Sequence, residues 1–166
     1  MQGQYERAEA LSLQVLISRE KLLGSEHPKT LLTRHNLALL YRQQGQYEQA
    51  ETLFQQVLAS QEKVLGLEHP DTLNTRHNLA LLYHQQGQYE QAETLFQQVL
   101  TSQEKVLGLE HPDTLGTRHN LAALYRQQGQ HERAEILFQQ TLISQERVLK
   151  QEHPRTQSIQ NNLDIL

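Results

Sequence analysis

The hydrophobic positions of the chain follow a helical spacing that recurs every 42 residues. In the central part, apolar side chains fall at Leu73, Leu79, Ala80, Leu82 and Tyr83. Separations of three and four residues are typical of a helix that buries one face. The pattern therefore predicts a helix, which we name helix A.

A second helix, named B, is predicted from about Tyr89 to Leu107. Its apolar positions again have helical spacing: Ala92, Leu95, Phe96, Val99 and Leu100. Pro70 suits the first position of helix A, directly after His69. Gly87 ends helix A, and Gly108 ends helix B where a left-handed residue is favoured. The short A–B connection predicts antiparallel neighbours.

The repetition extends through the chain. Residues 45–86 and 87–128 differ at only four positions, 59/101, 74/116, 81/123 and 84/126. His-Pro pairs recur in register at 27–28, 69–70, 111–112 and 153–154. The predicted helices, alternately B and A, are 4–23, 28–44, 46–65, 70–86, 88–107, 112–128, 130–149 and 154–166. We therefore expect an all-α fold of eight helices, stacked as an α-solenoid.

The repeat register predicts that residues 1–166 form a single array. Its predicted parts are a half-repeat (1–23, helix B), three full repeats (24–65, 66–107 and 108–149) and a final half-repeat (150–166, helix A). Ala80 and Ala92 allow close approach where A and B cross. Tyr83, Tyr89 and Phe96 are expected to provide the larger contacts beside them.

Composition narrows the class of protein. Apolar residues make up 37% of the chain, and cysteine is absent, which excludes disulfides and thiolate metal sites. The longest apolar run, Leu37 to Tyr41, is far below the length that spans a bilayer. The net charge of −4 argues against a general nucleic-acid binder. These features predict a soluble cytoplasmic protein without membrane or nucleic-acid partners.

The run NLALLYHQQGQYEQAETLFQQVL (78–100) resembles the core of the tetratricopeptide repeat. The matching positions are Leu79, Ala80, Tyr83, Gly87, Tyr89, Ala92 and Phe96. The 42-residue period, with the linker LGLEHPDTL (65–73), is similar to the kinesin light chain subtype. The resemblance implies a right-handed solenoid, and the near-identity of neighbouring repeats resembles microbial arrays in signalling or adaptor proteins. Arg34, Arg76 and Arg118 depart from that subtype, which usually has an apolar residue there.

The resemblance also implies that A helices line a concave groove that binds a protein or peptide. The residues expected to face it are His35, Asn36, Leu39, Arg42, Gln43, His77, Asn78, Leu81, His84, Gln85, His119, Asn120, Ala123, Arg126 and Gln127. This face contains no carboxylate, whereas Glu48, Glu51, Glu62 and their equivalents lie on B helices. The groove is therefore expected to be neutral to mildly basic.

Asn36, Asn78 and Asn120 are the favoured contact residues, because an amide complements an extended peptide backbone. The alternative is that these asparagines form hydrogen bonds within the solenoid. Arg42 and Arg126 would favour an acidic or neutral segment. The lysine clamp by which some family members hold a terminal carboxylate is not expected, since histidine and leucine occupy those positions.

No catalytic residues, cofactor or metal site are predicted. His35, His77 and His119 occur once per repeat, on helices about 10 Å apart, and zinc–nitrogen bonds are only about 2 Å long. The His-Pro histidines are interpreted as helix-start residues. Arg34, Arg76 and Arg118 are expected to pair with B-helix glutamates, with groove contact as the alternative. Tyr41, Tyr83 and Tyr125 fit a core stripe better than base stacking.

The half-repeats at both ends allow two interpretations. The favoured one is that the chain is a segment of a longer array. In the other, helix A of one copy docks on helix B of the next, a head-to-tail contact. Leu11, Val15 and Leu16 are expected to lack cover in the first helix. The sequence thus predicts a protein-binding scaffold, with a self-assembly element as the alternative.

Overall fold

The computed structural model describes residues 2–148. The described part of the chain divides into two compact units on either side of the Gln86–Gly87 bond. The first contains α1 (Gln2–Leu23), α2 (Pro28–Gln43), α3 (Tyr47–Val64) and α4 (Pro70–Gln85). The second contains α5 (Tyr89–Val106), α6 (Pro112–Gln127) and α7 (His131–Val148). Helices α2, α4 and α6 are the predicted A helices, and the others are B helices.

The prediction of an all-helical chain is confirmed over the described residues, which contain seven helices and no strand. Every interior boundary lies within a residue or two of the predicted one. The eighth predicted helix, 154–166, and the pair His153–Pro154 lie outside the described residues.

Each A helix begins at the proline of a His-Pro pair, and the histidine is its N-cap. His69 has extended backbone angles (φ −66°, ψ 138°), and its Nδ1 accepts a hydrogen bond from the Asp71 N–H at 3.1 Å. His27 and His111 make the same bond, each at 3.2 Å. The bond satisfies one of the amide groups that a helix start leaves without a partner. The helix-start interpretation of these histidines is confirmed.

Helix B ends as predicted, at a glycine with a left-handed backbone. Gly108 has φ +92°, and its N–H donates to the Gln103 carbonyl at 3.1 Å. A side chain at this φ would bring Cβ close to the backbone carbonyl. The chain can therefore leave helix B in a sharp turn and start helix A four residues later.

Small side chains lie in the helix packing of both units, as predicted. Helix α2 packs on α3, and α3 on α4. Ala38, Ala50 and Ala80 are completely buried, as is the larger Phe54. Tyr83 is buried as well, and Tyr89, the first residue of α5, is 36% exposed.

Polar bonds join each B helix to the A helix that follows it. Arg76 of α4 pairs with Glu62 of α3 at 2.6 Å, and the same pair recurs as Arg34–Glu20 and Arg118–Glu104. The expectation that these arginines pair with B-helix glutamates is confirmed. The Tyr83 hydroxyl donates to Glu51 Oε1 at 3.1 Å, and Tyr125 donates to Glu93 at the same distance in the second unit. Part of the acidic charge of the B helices is therefore neutralised or bonded.

The first helix is only partly covered. α1 packs against α2, and Leu11 and Val15 remain 58% and 43% exposed, as expected. The same expectation is wrong for Leu16, which is 9% exposed. Helix α1 presents Leu16 to the interior while Leu11, Val15 and Leu22 form an apolar surface with a depression of about 400 Å³ beside it.

Candidate binding surface

A narrow line of side chains on the A helices of the first unit faces outward. We call it the A stripe; its members share positions 42 residues apart on α2 and α4. They are Leu32, Asn36, Leu39, Gln43, Asn74, Asn78, Leu81 and Gln85. All eight are exposed or half-exposed. In α6 of the second unit, the equivalent residues Gly116, Asn120, Ala123 and Gln127 are likewise exposed or half-exposed.

His35 does not lie on this outer surface. The side chain is 4% exposed, with Nδ1 2.9 Å from Thr75 Oγ1 and the ring edge-on to Phe54 at 5.4 Å. The sequence placed it in the groove, but α3 and α4 both pack against that side of α2 and enclose it. Burial lowers the pKa of His35, against a raising effect of Asp71 and with a smaller lowering effect of Arg42.

The other predicted histidines are half-buried. His119 packs edge-on against Phe138 at 5.4 Å, and burial followed by the charge of Arg126 lowers its pKa. His77 and His84 are also half-buried. Because the pKa values of His35 and His119 are lowered, these imidazoles are neutral at pH 7. The expected positive charge of this face therefore comes from arginine.

The structure brings Arg42 and Asn78 together. Arg42 Nη1 of α2 donates to Asn78 Oδ1 at 3.2 Å and to its carbonyl at 3.4 Å. The amide of Asn78 donates in turn to Asn74 Oδ1 and to the Asn74 carbonyl, both at 3.0 Å. Asn78 thus follows the alternative interpretation, with bonds inside the array. Asn36 is exposed and Asn120 half-buried, so the three asparagines are not equivalent.

Half-burial of Arg42 lowers the pKa of its guanidinium, which stays charged at neutral pH. Both of its hydrogen bonds to described residues use Nη1, and Nε and Nη2 have no acceptor among those residues. Arg126 is half-buried on α6. Gln43, Gln85 and Gln127 are exposed, as expected of a solvent-facing line.

A small crevice opens beside the A stripe, near the start of α4. It is lined by Pro28, Leu31, Leu32, His35, Gln61, Leu65, Asp71, Asn74 and Thr75, and its cavity volume is about 20 Å³. The expectation of a face without carboxylates is therefore wrong in the first unit, because Asp71 lies at this crevice. Asp71, Asn74 and Leu32 were missed. The helical spacing 32/36 and 71/74/78 would have identified them.

The described residues contain no group of three or more metal-ligating side chains that could hold a metal ion. None of the described helices combines the length and the hydropathy needed to cross a bilayer.

Comparison with known proteins places the chain in a family. The family model described as tetratricopeptide repeat matches residues 1–63, 35–105 and 71–147, which overlap. Nearly identical TPR-like repeats of kinesin light chain type from Podosopora anserina share 40% identity, with a TM-score of 0.84. That alignment covers 98% of this chain and 77% of the other.

More distant structures share the fold alone. BtubC (BKLC) from P. vanneervenii has 21% identity and a TM-score of 0.87, covering 98% of this chain and 65% of the other. The translocator chaperone SycD of Yersinia enterocolitica has 17% identity and a TM-score of 0.64, covering 84% and 92%. Among curated protein sequences, none matches. The chain therefore belongs to the tetratricopeptide repeat family, with repeats of the kinesin light chain-like kind.

Proposed function

We propose that the A stripe binds an extended segment of a partner protein, of neutral or acidic character. The observation that carries this proposal is the bond between Arg42 and Asn78. It holds a guanidinium at the junction of α2 and α4 with Nε and Nη2 available within the described part of the chain. A cation fixed in this way loses little side-chain freedom when it binds a carboxylate.

The side chains beside Arg42 support a peptide rather than a small molecule. Asn36 presents an exposed amide, which can donate to one peptide carbonyl and accept from one N–H. Leu32 is 53% exposed, and Leu39 and Leu81 are half-exposed. These leucines provide apolar contacts between the polar groups.

The roles of the asparagines differ in this proposal. Asn36 contacts the bound segment, whereas Asn78 positions Arg42. Removing the Asn78 side chain would therefore disturb the guanidinium as well as the surface. Asn36→Ala is the cleaner test of direct backbone recognition.

The experiment is a selection of displayed peptides on the immobilised full chain, followed by anisotropy titration of the selected peptides. Arg42→Gln should weaken binding about tenfold, since a hydrogen bond to a charged group is worth about 1.5–3 kcal/mol. Asn36→Ala should weaken it several-fold. The controls are Gln56→Ala on α3 and Lys21→Gln on α1, which remove an exposed amide and a cation elsewhere. Affinities that Arg42→Gln and Asn36→Ala leave unchanged would refute the proposal, as would controls that weaken binding as much as these two variants.

The proposed role is binding without catalysis, in keeping with a family whose members are generally non-enzymatic scaffolds. A cytoplasmic location, membership of a larger signalling or adaptor protein and the absence of a resident cofactor stay predictions.

Self-assembly is a second candidate, favoured by the apolar surface of α1. Leu11, Val15 and Leu22 are 58%, 43% and 80% exposed and lie on a single helix. A helix face from another copy that covers them would give a head-to-tail contact, which continues from copy to copy. Light scattering on the full chain should show mass rising with concentration, and Leu11→Glu/Val15→Glu should abolish the rise. A constant monomer mass at high concentration would exclude this candidate.

A further inference from the structure

We propose that the crevice beside the A stripe is a subsite for a primary ammonium group, the side chain of a lysine in the bound segment. This inference rests on the proposed peptide-binding function and deepens it. The crevice lies between α2 and α4, and Gln61 of α3 also lines it.

One residue that lines the crevice has an unsatisfied polar group. Gln61 is 4% exposed, and its Oε1 has no hydrogen-bond partner among the described residues. A buried acceptor without a donor is unfavourable, so buried polar atoms are nearly always bonded. Asp71 lines the same crevice, and its side chain is 62% exposed. The crevice is thus lined by an exposed carboxylate and by a residue whose buried amide oxygen is closed to solvent.

In the preceding repeat, the chain itself supplies a cation at the equivalent position. Arg19 of α1 occupies the position equivalent to Gln61, 42 residues earlier. Its Nη1 donates to the Lys29 carbonyl at 2.9 Å and to Thr33 Oγ1 at 2.6 Å. Lys29 and Thr33 are the equivalents of Asp71 and Thr75. A charged nitrogen therefore already fits between the same two backbone positions elsewhere in this fold.

The charges at the two places are exchanged in a consistent way. Where Arg19 brings a built-in cation, position 29 is lysine, and where Gln61 brings none, position 71 is aspartate. The crevice beside the A stripe thus has the carboxylate but lacks the cation. A ligand ammonium would complete it.

Size and lining select lysine over arginine. A cavity of about 20 Å³ accommodates one group of the size of a water molecule, which matches an ammonium head and excludes a planar guanidinium. Leu32 and Pro28 border the entrance, and both are exposed. Lysine stems pack readily along such apolar surface while the charge stays with polar groups.

The position of the crevice relative to Arg42 predicts a spacing. Asp71 and Asn78 are seven residues apart on α4, about 10 Å along the helix axis. An extended peptide advances about 3.3 Å per residue. The preferred segment therefore carries a lysine for the crevice and a carboxylate for Arg42 about three positions apart.

The test uses the full chain and labelled nine-residue peptides of glycine, serine and alanine that contain Lys and Glu three positions apart, in both orders. Acetylation of the lysine, or its replacement by arginine, should lower the affinity of the better peptide about tenfold, the effect of one charge-assisted bond. In the protein, Asp71→Asn should do the same. The matched control is Glu48→Gln, which removes the same charge from a B helix.

A further variant fills the subsite from within. Gln61→Arg/Asp71→Lys reproduces the residue pair of α1 and α2, so it should fold, and it should lose the preference for lysine over acetyl-lysine. Equal binding of the lysine and acetyl-lysine peptides, with Arg42→Gln still weakening both, would overturn the subsite and leave the proposed function standing. Failure of every peptide to bind would overturn both.

Discussion

Breaking the Arg76–Glu62 ion pair from its two ends should destabilise the protein unequally. Arg76 Nη2 lies 2.6 Å from Glu62 Oε1, and the side chains are 9% and 35% exposed, respectively. Glu62→Met leaves a buried guanidinium without a carboxylate. Arg76→Met leaves a carboxylate that water reaches, and the methionine keeps most of the apolar packing of the arginine stem.

The magnitudes follow from these exposures. Removing one partner of a fully buried pair costs about 3–5 kcal/mol, and an exposed pair is worth about 0–1 kcal/mol. We expect about 3 kcal/mol for Glu62→Met and about 1 kcal/mol for Arg76→Met. The exposed pair Lys63–Glu26, with side chains 71% and 49% exposed, provides the control. Lys63→Met should change the unfolding free energy by less than about 0.5 kcal/mol.

The assay is urea unfolding of the full chain, followed by far-ultraviolet circular dichroism. Stability is compared through the midpoint at constant m-value. The reasoning is refuted if Arg76→Met destabilises as much as Glu62→Met, or if Lys63→Met equals either of them.

Three further predictions concern the helix ends and a buried histidine. His69→Ala should destabilise the chain by about 1 kcal/mol, because the cap bond is lost, whereas His69→Ser should stay close to the parent in thermal unfolding. Gly108→Ala should destabilise by about 1 kcal/mol or more, because its φ is +92°. In contrast, Gly116→Ala inside α6, where an added Cβ meets nothing within 4 Å, should stabilise the chain by up to about 1 kcal/mol. In parallel urea titrations the two glycine variants should therefore change the free energy of unfolding in opposite directions, and a change in the same direction would contradict this. Burial lowers the pKa of His35, so below about pH 6.5 the unfolded chain takes up a proton that the folded chain does not. Stability should be full above that pH and fall by up to about 1.4 kcal/mol per pH unit as the pH decreases, and an unchanged slope in His35→Gln would contradict this.

The fold could be predicted closely because its determinants are local and repeated. The His-Pro pairs and glycines fix where each helix starts and ends, and these signals act within a few residues. The crossing alanines, such as Ala38 and Ala50, follow from the same register, and both are completely buried. The pairing of Arg76 with Glu62 was also predictable, since a long cation beside an apolar stripe needs an acceptor nearby.

The candidate binding surface was harder to predict because an A helix is enclosed on most of its circumference. In α2 the buried positions include Leu31, Thr33, His35 and Leu37, which leaves a line about one residue wide. A sequence pattern assigns a broad face, so His35 was placed outside. The partner of Arg42 could not be found either, because Asn78 is brought to it by packing of α2 against α4.

The crevice could not be predicted from the sequence, because the difference between Arg19 and Gln61 has a meaning only when their surroundings are known. Arg19 and Gln61 are visible as a difference between repeats in the sequence. Their importance follows from what surrounds them, namely the carbonyl of Lys29 in one case and an unfilled cavity in the other.

The recurrence of the same bonds in both units has a consequence for how the length of this array can change. The histidine cap, the Arg–Glu pair and the Tyr–Glu bond return at 42-residue intervals in α3–α4 and α5–α6. Suppose that any 42 consecutive residues between positions 45 and 128 are removed. The residue that then follows the junction is the equivalent, one repeat later, of the first residue removed. Recombination between the matching stretches of the gene can therefore shorten or lengthen the protein in whole repeats, each time with the same sequence across the junction.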